Sequence, residues 1–168
     1  SRSSIFKVIG LNTFRQPTST AFTLEEGLLF VKEMGFEEVT ARGVRAASEL
    51  SRDVVYAGFS LGAGAAQQLA QTREGARGAL FFHACLPTSA FESQWPADLP
   101  VQIHAMSADP FFVEDGDISA ARELVASANH AELFLYEGKE HLFTDSSLPS
   151  YDAGATKLVI KRVLDFLA

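Results

Sequence analysis

Three side chains in this sequence have the types and the order needed to attack a carbonyl carbon. They are Ser60 inside Gly58-Phe59-Ser60-Leu61-Gly62, Asp109 just before Pro110, and His141 inside Lys139-Glu140-His141. A serine hydroxyl is a poor nucleophile at neutral pH. It needs a base to take its proton, and that base needs a carboxylate to fix its tautomer. Serine, then acid, then histidine is the chain order that such sites take on one kind of parallel sheet.

The glycine–serine pentapeptide alone is weak, because a chain of this length matches it by chance about one time in twenty. Its setting says more. The apolar run "DVVYAGF" over 53–59 stops at Ser60, and a small-residue stretch, "LGAGAAQQLAQT", follows at once over 61–72. A serine on a tight strand-to-helix turn is strained and presented outward, and side chains two residues either side of it would meet neighbouring chain. Gly58 and Gly62 stand at those two positions. The amide of Leu61, at a helix N-terminus, would face an anion formed beside Ser60. The competing reading makes Ser60 a helix N-cap between packing glycines. The strand–turn–helix context favours the nucleophile.

Asp109 closes a predicted strand, although Asp-Pro is also a common turn. Asp115 and Asp117 compete as acids. Asp117 reads as a helix cap and Asp115 as a solvated loop charge. Of the four histidines, His104 falls mid-strand and is expected in the core. His130 is expected in an exposed turn, and His83 at a strand end that could line a pocket. His141 alone follows Asp109 in a suitable loop. Cys85 has His83 nearby, but a buried, inert thiol is the commoner outcome. No cluster has metal-ligand spacing, and no phosphate loop or dinucleotide fingerprint is present, so no cofactor is expected.

These side chains need a scaffold that brings strand ends together. A strand is expected over 5–11. Thr23 with Glu26 forms a capping box ahead of a helix that ends near Gly35. A second helix is expected over 36–50, with Val39, Val44 and Leu50 on its apolar side and Gly43 weakening it. Strands follow over 53–59, 76–84, 100–108 and 131–138. The first of these is rich in β-branched and aromatic residues and reads as buried on both faces. Helices are expected over 61–72, with Gly75 as a stop, over 118–128 behind Asp117, and over 152–168. Alternating strands and helices predict a parallel sheet covered on both sides, with chemistry gathered beyond the carboxyl ends of its strands. Ser60, Asp109 and His141 all fall there. Phe59, Phe82, Trp95, Phe111, Phe112 and Phe143 are the candidates for an apolar pocket wall.

The whole chain, 168 residues, fits one domain, with residues 1–22 as an atypical leading segment. A formal net charge of −7 argues against nucleic acid or an anionic membrane as partner. No apolar run reaches the length of a membrane span. A single cysteine and no signal-peptide pattern point to the cytoplasm.

With these residues placed, the chain resembles the dienelactone hydrolase family, a branch of the α/β-hydrolases. The stretches that carry the resemblance are "VVYAGFSLGAGAAQQLAQTR", "GARGALFFHACLP", "VQIHAMSADPFF", "ARELV", "AELFLYEGKEHLFTDSSLPSYD" and the last helix. The resemblance implies an α/β fold with a mostly parallel, α/β-hydrolase-like sheet, helices on both faces, and N-terminal strands reduced or missing. It carries Ser60 over as nucleophile, Asp109 as acid and His141 as base, acting on a small ester or lactone. The chain departs from the family twice. The namesakes use cysteine where this chain has Ser60. Family members also carry further strands and a helix ahead of the region matching "TLEEGLLFVKEMGFEEV", which supply a second oxyanion donor. Here amides near Leu11 or Asn12 are the candidates for that donor. A rival reading is a catalytically impaired relative that serves as a binding or assembly module, pairing through an uncovered sheet edge as a homodimer.

Overall fold

The computed structural model describes residues 24–168. The expected strand over 5–11, the capping box of Thr23 with Glu26, and the amides near Leu11 and Asn12 lie outside the described residues.

Four strands form one parallel sheet in the order β1 (Val55–Phe59), β2 (Gly78–Phe82), β3 (Val101–Met106) and β4 (Ala131–Tyr136). Each is shorter by a few residues than the apolar run that predicts it. Sequence neighbours are spatial neighbours throughout; the first and third crossovers pass through α-helix, and the second holds only a 3-10 turn over Thr88–Phe91. The helices are α1 (Leu24–Met34), α2 (Phe36–Ala46), α3 (Leu61–Thr72), α4 (Pro110–Val113), α5 (Asp117–Ser127) and α6 (Ala153–Leu167). The expected helix over 36–50 is α2 followed by a separate 3-10 turn over Ala47–Glu49. The Arg73 guanidinium holds that turn to the end of α3, donating to the carbonyls of Ala47, Ser48 and Leu50 and to the Tyr56 hydroxyl.

The period of two along the strands divides the core into two layers. Ala79, Phe81, Val101 and Ile103 face Ala63, Ala66 and Ala70 of α3 and Leu124 of α5. Leu80, Phe82, Met106 and Tyr136 face Val159, Val163 and Phe166 of α6 and Phe143 of the loop before it. Burying each such large apolar side chain is worth about 1.5–3 kcal/mol. The alanine face of α3 lets it lie close to the sheet. Gly43 explains itself at the next layer out, where a Cβ would stand 2.6 Å from the Ala65 Cβ, so glycine is what lets α2 lie against α3.

The central strands β2 and β3 are buried on both faces, as a parallel sheet requires. The expectation fails for β1. Tyr56 and Gly58 are buried, but Ala57 and Phe59 on the other face are exposed. Among the described residues β1 is an edge strand, and of its outer face only Val55 is partly buried against the layer under α6.

Candidate active site

The turn after β1 carries Ser60 at φ 48°, ψ −118°, a region that L residues avoid. The Ser60 amide donates to the Phe82 carbonyl at 2.7 Å, which fastens the turn to β2. Gly58 makes the turn possible. A Cβ there would lie 2.3 Å from the Gly62 carbonyl oxygen and 2.6 Å from the Ala63 Cα, both backbone atoms that cannot give way. The matching expectation for Gly62 does not hold, since a Cβ at Gly62 would meet nothing within 4 Å. Ser60 occupies the N-cap position of α3, yet its hydroxyl makes no capping bond. It turns instead to His141, with Oγ 2.9 Å from Nε2.

His141 stands in the long loop between β4 and α6, and several bonds hold that loop. The Ala108 amide donates to the Gly138 carbonyl at 2.9 Å. The Asp152 amide and the Thr156 hydroxyl both donate to the Phe143 carbonyl. Asp152 itself caps α6 through the Ala155 amide. With Phe143 fully buried, the loop has little freedom and the imidazole is placed. Its Nδ1 lies 2.6 Å from Asp109 Oδ2. Asp109 follows β3, is fully buried, and caps the short helix α4 by accepting from the Phe111 amide through Oδ1 at 3.0 Å. One carboxylate oxygen thus fixes a helix and the other fixes the ring. Three strand ends deliver three side chains to one hydrogen-bonded row, and with Nδ1 donating to Asp109, Nε2 is free to accept from Ser60. The Leu61 amide belongs to the first turn of α3, where no carbonyl of the helix is available to it.

The row opens into a cavity of about 410 Å³. Its apolar lining comes from Val31, Phe36, Leu61, Ala84, Leu86 and Phe111. Of the six aromatic residues expected in the wall, only Phe111 is there. Phe82, Trp95, Phe112 and Phe143 are buried in the core, and Phe59 lies on the open face of β1, stacked 4.3 Å from Phe82. The wall that the sequence did not point to comes from α1 and α2, through Val31 and Phe36.

Two acids also line the cavity, Asp115 and Asp117. Asp117 is not the helix cap it was expected to be. Gly116, at φ 93°, takes the cap position, and the Asp117 carboxylate accepts from the Cys85 amide at 2.9 Å. Burial raises the Asp117 carboxyl to about 6, against the lowering by that amide, with Asp115 and Asp109 adding to the rise. His83 lines the cavity as expected, at φ 65°, with Nε2 3.1 Å from the Thr144 hydroxyl. Its ring stands edge-on to His141 with centroids 5.5 Å apart. Burial, then the neighbouring His141, lowers it to about 4. His104 is core, stacked between Phe82 and Phe134. His130 is exposed. Cys85 is fully buried and burial pushes its thiol up, so it is not a nucleophile. Among the described residues, no three His, Cys, Asp or Glu side chains gather as they would around a metal ion. No helix among them is long and apolar enough to cross a membrane.

Three solved structures are similar to this chain in differing degree. A Klebsiella pneumoniae protein assigned as a dienelactone hydrolase superposes with a TM-score of 0.57 at 19% identity, over 80% of this chain and 62% of that one. A Bacillus cereus carboxylesterase gives a TM-score of 0.45 at 24% identity, over 86% and 64% of the two chains. An esterase from Thermogutta terrifontis gives 0.49 at 16%, over 78% and 63%. This chain therefore spans less than two thirds of the length of each. The first of them shows the common α/β-hydrolase fold. A search of curated proteins finds no match. Residues 31–168 match the profile of the Dienelactone hydrolase family, which takes in every described strand and the whole Ser60–His141–Asp109 row, and the chain belongs to that family.

Proposed function

We propose that the protein is a serine hydrolase that cleaves a small carboxylic ester or lactone through an acyl-enzyme on Ser60. The observation that carries this reading is the row itself, 2.9 Å from Ser60 Oγ to His141 Nε2 and 2.6 Å from His141 Nδ1 to Asp109 Oδ2, at the edge of a largely apolar cavity. Ser60 Oγ attacks the carbonyl carbon as His141 Nε2 takes its proton. Asp109 holds the ring in the tautomer that can accept, and stabilises the imidazolium that forms. The Leu61 amide donates to the oxyanion. His141 returns the proton to the leaving alcohol as the carbon–oxygen bond breaks. Water then attacks the acyl carbon, with His141 again as base, and the acid leaves from Ser60. No cofactor takes part in this scheme. The lone, buried Cys85 suits a reducing compartment, and we place the protein in the cytoplasm.

A fluorophosphonate probe and a short nitrophenyl ester test the reading together. The parent is expected to label and to hydrolyse. S60A is expected to lose the label and at least about 10³-fold of kcat/KM. Equal labelling or turnover by parent and S60A overturns the assignment. The exposed outer face of β1 favours a second reading, an assembly module that pairs there. A parent that takes no label and runs as a dimer in solution decides for that one.

A further inference from the structure

We propose that Asp117 makes the cavity selective by charge, favouring esters whose acyl part is neutral or cationic over those that carry a carboxylate. This rests on the ester-hydrolase reading above and names the substrate class for the same site.

The charges around the cavity are one-sided. Among the described lining residues there is no lysine or arginine, while Asp115 and Asp117 both face it. Apart from His141, which is bonded to Ser60 and Asp109, His83 is the one described lining group that could offset them, and it is almost wholly buried, at 1% exposure. Its Nδ1 has no hydrogen-bond partner among the described residues. A ring so placed stays neutral. It brings no positive charge to the cavity.

The Asp117 carboxylate is held rather than loose. Oδ2 accepts from the Cys85 amide, and Oδ1 makes no hydrogen bond among the described residues. That bond restrains the carboxylate beside the cavity, and its second oxygen is available to a donor or a cation. The remaining wall is apolar, which weakens screening and lengthens the reach of the charge. The groups around Asp117 are Asp109 and Asp115 at the two ends of α4, His141 from the loop after β4, and His83 with the Cys85 amide from the loop after β2. His141 is already bonded to Ser60 and Asp109, and none of the other groups brings a positive charge. An acyl carboxylate bound beside Asp117 would thus meet repulsion, with no counter-ion among the described residues.

Three nitrophenyl esters of similar length test this: the butyrate, the hemisuccinate and the trimethylammoniobutyrate. Parent and D117N are compared at pH 8, where Asp117 is ionised. The asparagine carbonyl can still accept from the Cys85 amide, so the loop is retained. D117N is expected to lower the kcat/KM ratio of butyrate to hemisuccinate by roughly fivefold, the scale of one like charge in a partly screened pocket. It should lower the ratio of trimethylammoniobutyrate to butyrate in the same sense. A merely structural role would slow all three esters alike, leaving both ratios within twofold of the parent, and that result overturns the proposal. Should D117N not fold, the parent alone decides. Its butyrate-to-hemisuccinate ratio is expected to fall from pH 8 to pH 6 as Asp117 takes up a proton while the substrate carboxylate stays ionised, and a constant ratio overturns the charge assignment. A parent that labels with fluorophosphonate but shows no charge preference fails this inference only. A parent that neither labels nor hydrolyses fails the hydrolase reading and this one with it.

Discussion

Two histidines stand 5.5 Å apart, ring centroid to ring centroid, at the ends of different strands, and they have opposite environments. His141, in the loop after β4, is hydrogen-bonded at both nitrogens, to a buried carboxylate on one side and to a strained serine on the other. His83, directly after β2, shares the cavity wall but has only the Thr144 hydroxyl at Nε2 and no partner at Nδ1. Both rings are within reach of a ligand in the same cavity. The carboxylate distinguishes them. A neutral imidazole becomes a useful base when its conjugate acid is stabilised, and Asp109 offers that only to His141. His83 gains no such support and is kept neutral by burial.

Substitution at the two positions is the most severe way to break the comparison. H141Q is expected to lower kcat/KM for a nitrophenyl ester at least about 10³-fold, and H83Q to stay within about tenfold of the parent. Comparable losses would mean that His83 shares the proton transfer. D109N comes next, with a fall of at least about 10²-fold. Its asparagine carbonyl can still accept from the Phe111 amide, so α4 and the melting temperature should change little while turnover collapses. A D109N protein that keeps its activity would show that the carboxylate does not decide between the rings.

Ser60, Asp109 and His141 were legible in the sequence because each signal is local. An apolar run ends and a helix begins at Ser60. The other two fall just past recognisable strands. The four described strands and most of the helices follow from the same alternation, whereas the order of the strands in the sheet comes from the structure alone. What stayed hidden depends on contacts between distant residues. Asp117 precedes an amphipathic run and reads as a cap. It becomes a cavity carboxylate because Gly116 takes the cap and the Cys85 amide, 32 residues away, claims its side chain. The aromatic wall was misassigned because a phenylalanine on a strand gives no sign of which layer covers it. Phe82 and Phe59 both belong to strands, yet one lies under α6 and the other, stacked only against its edge neighbours, stays half exposed. Burial of β1 on both faces failed for the same reason, since composition reports what a strand can bury and not what is there to bury it.

The smallest expected effect separates the histidines through stability rather than rate. Burial holds His83 near 4 and His104 near 3, both below the ordinary 6.5. A histidine depressed in the folded state is protonated more readily in the unfolded chain. Between about pH 3 and 6.5 the unfolded chain therefore binds more protons, and stability rises with pH until both rings are neutral in either state. Asp117 acts in the opposite sense. Its carboxyl is raised from 3.8 to about 6, so the folded protein holds that proton more tightly, and this contribution is lost as pH climbs through the same range. Two buried rings outweigh one half-buried carboxyl, and each tenfold change in proton affinity is worth about 1.4 kcal/mol. The melting temperature should thus climb by about 5 °C or more from pH 4.5 to pH 7. H83Q should flatten that climb and D117N should steepen it, because each removes one of the opposing contributions. Calorimetry across the range reads all three slopes. A parent whose melting temperature is level, or falls, over that interval would mean that His83 is not kept neutral in the fold, and the contrast with His141 would lose its physical basis.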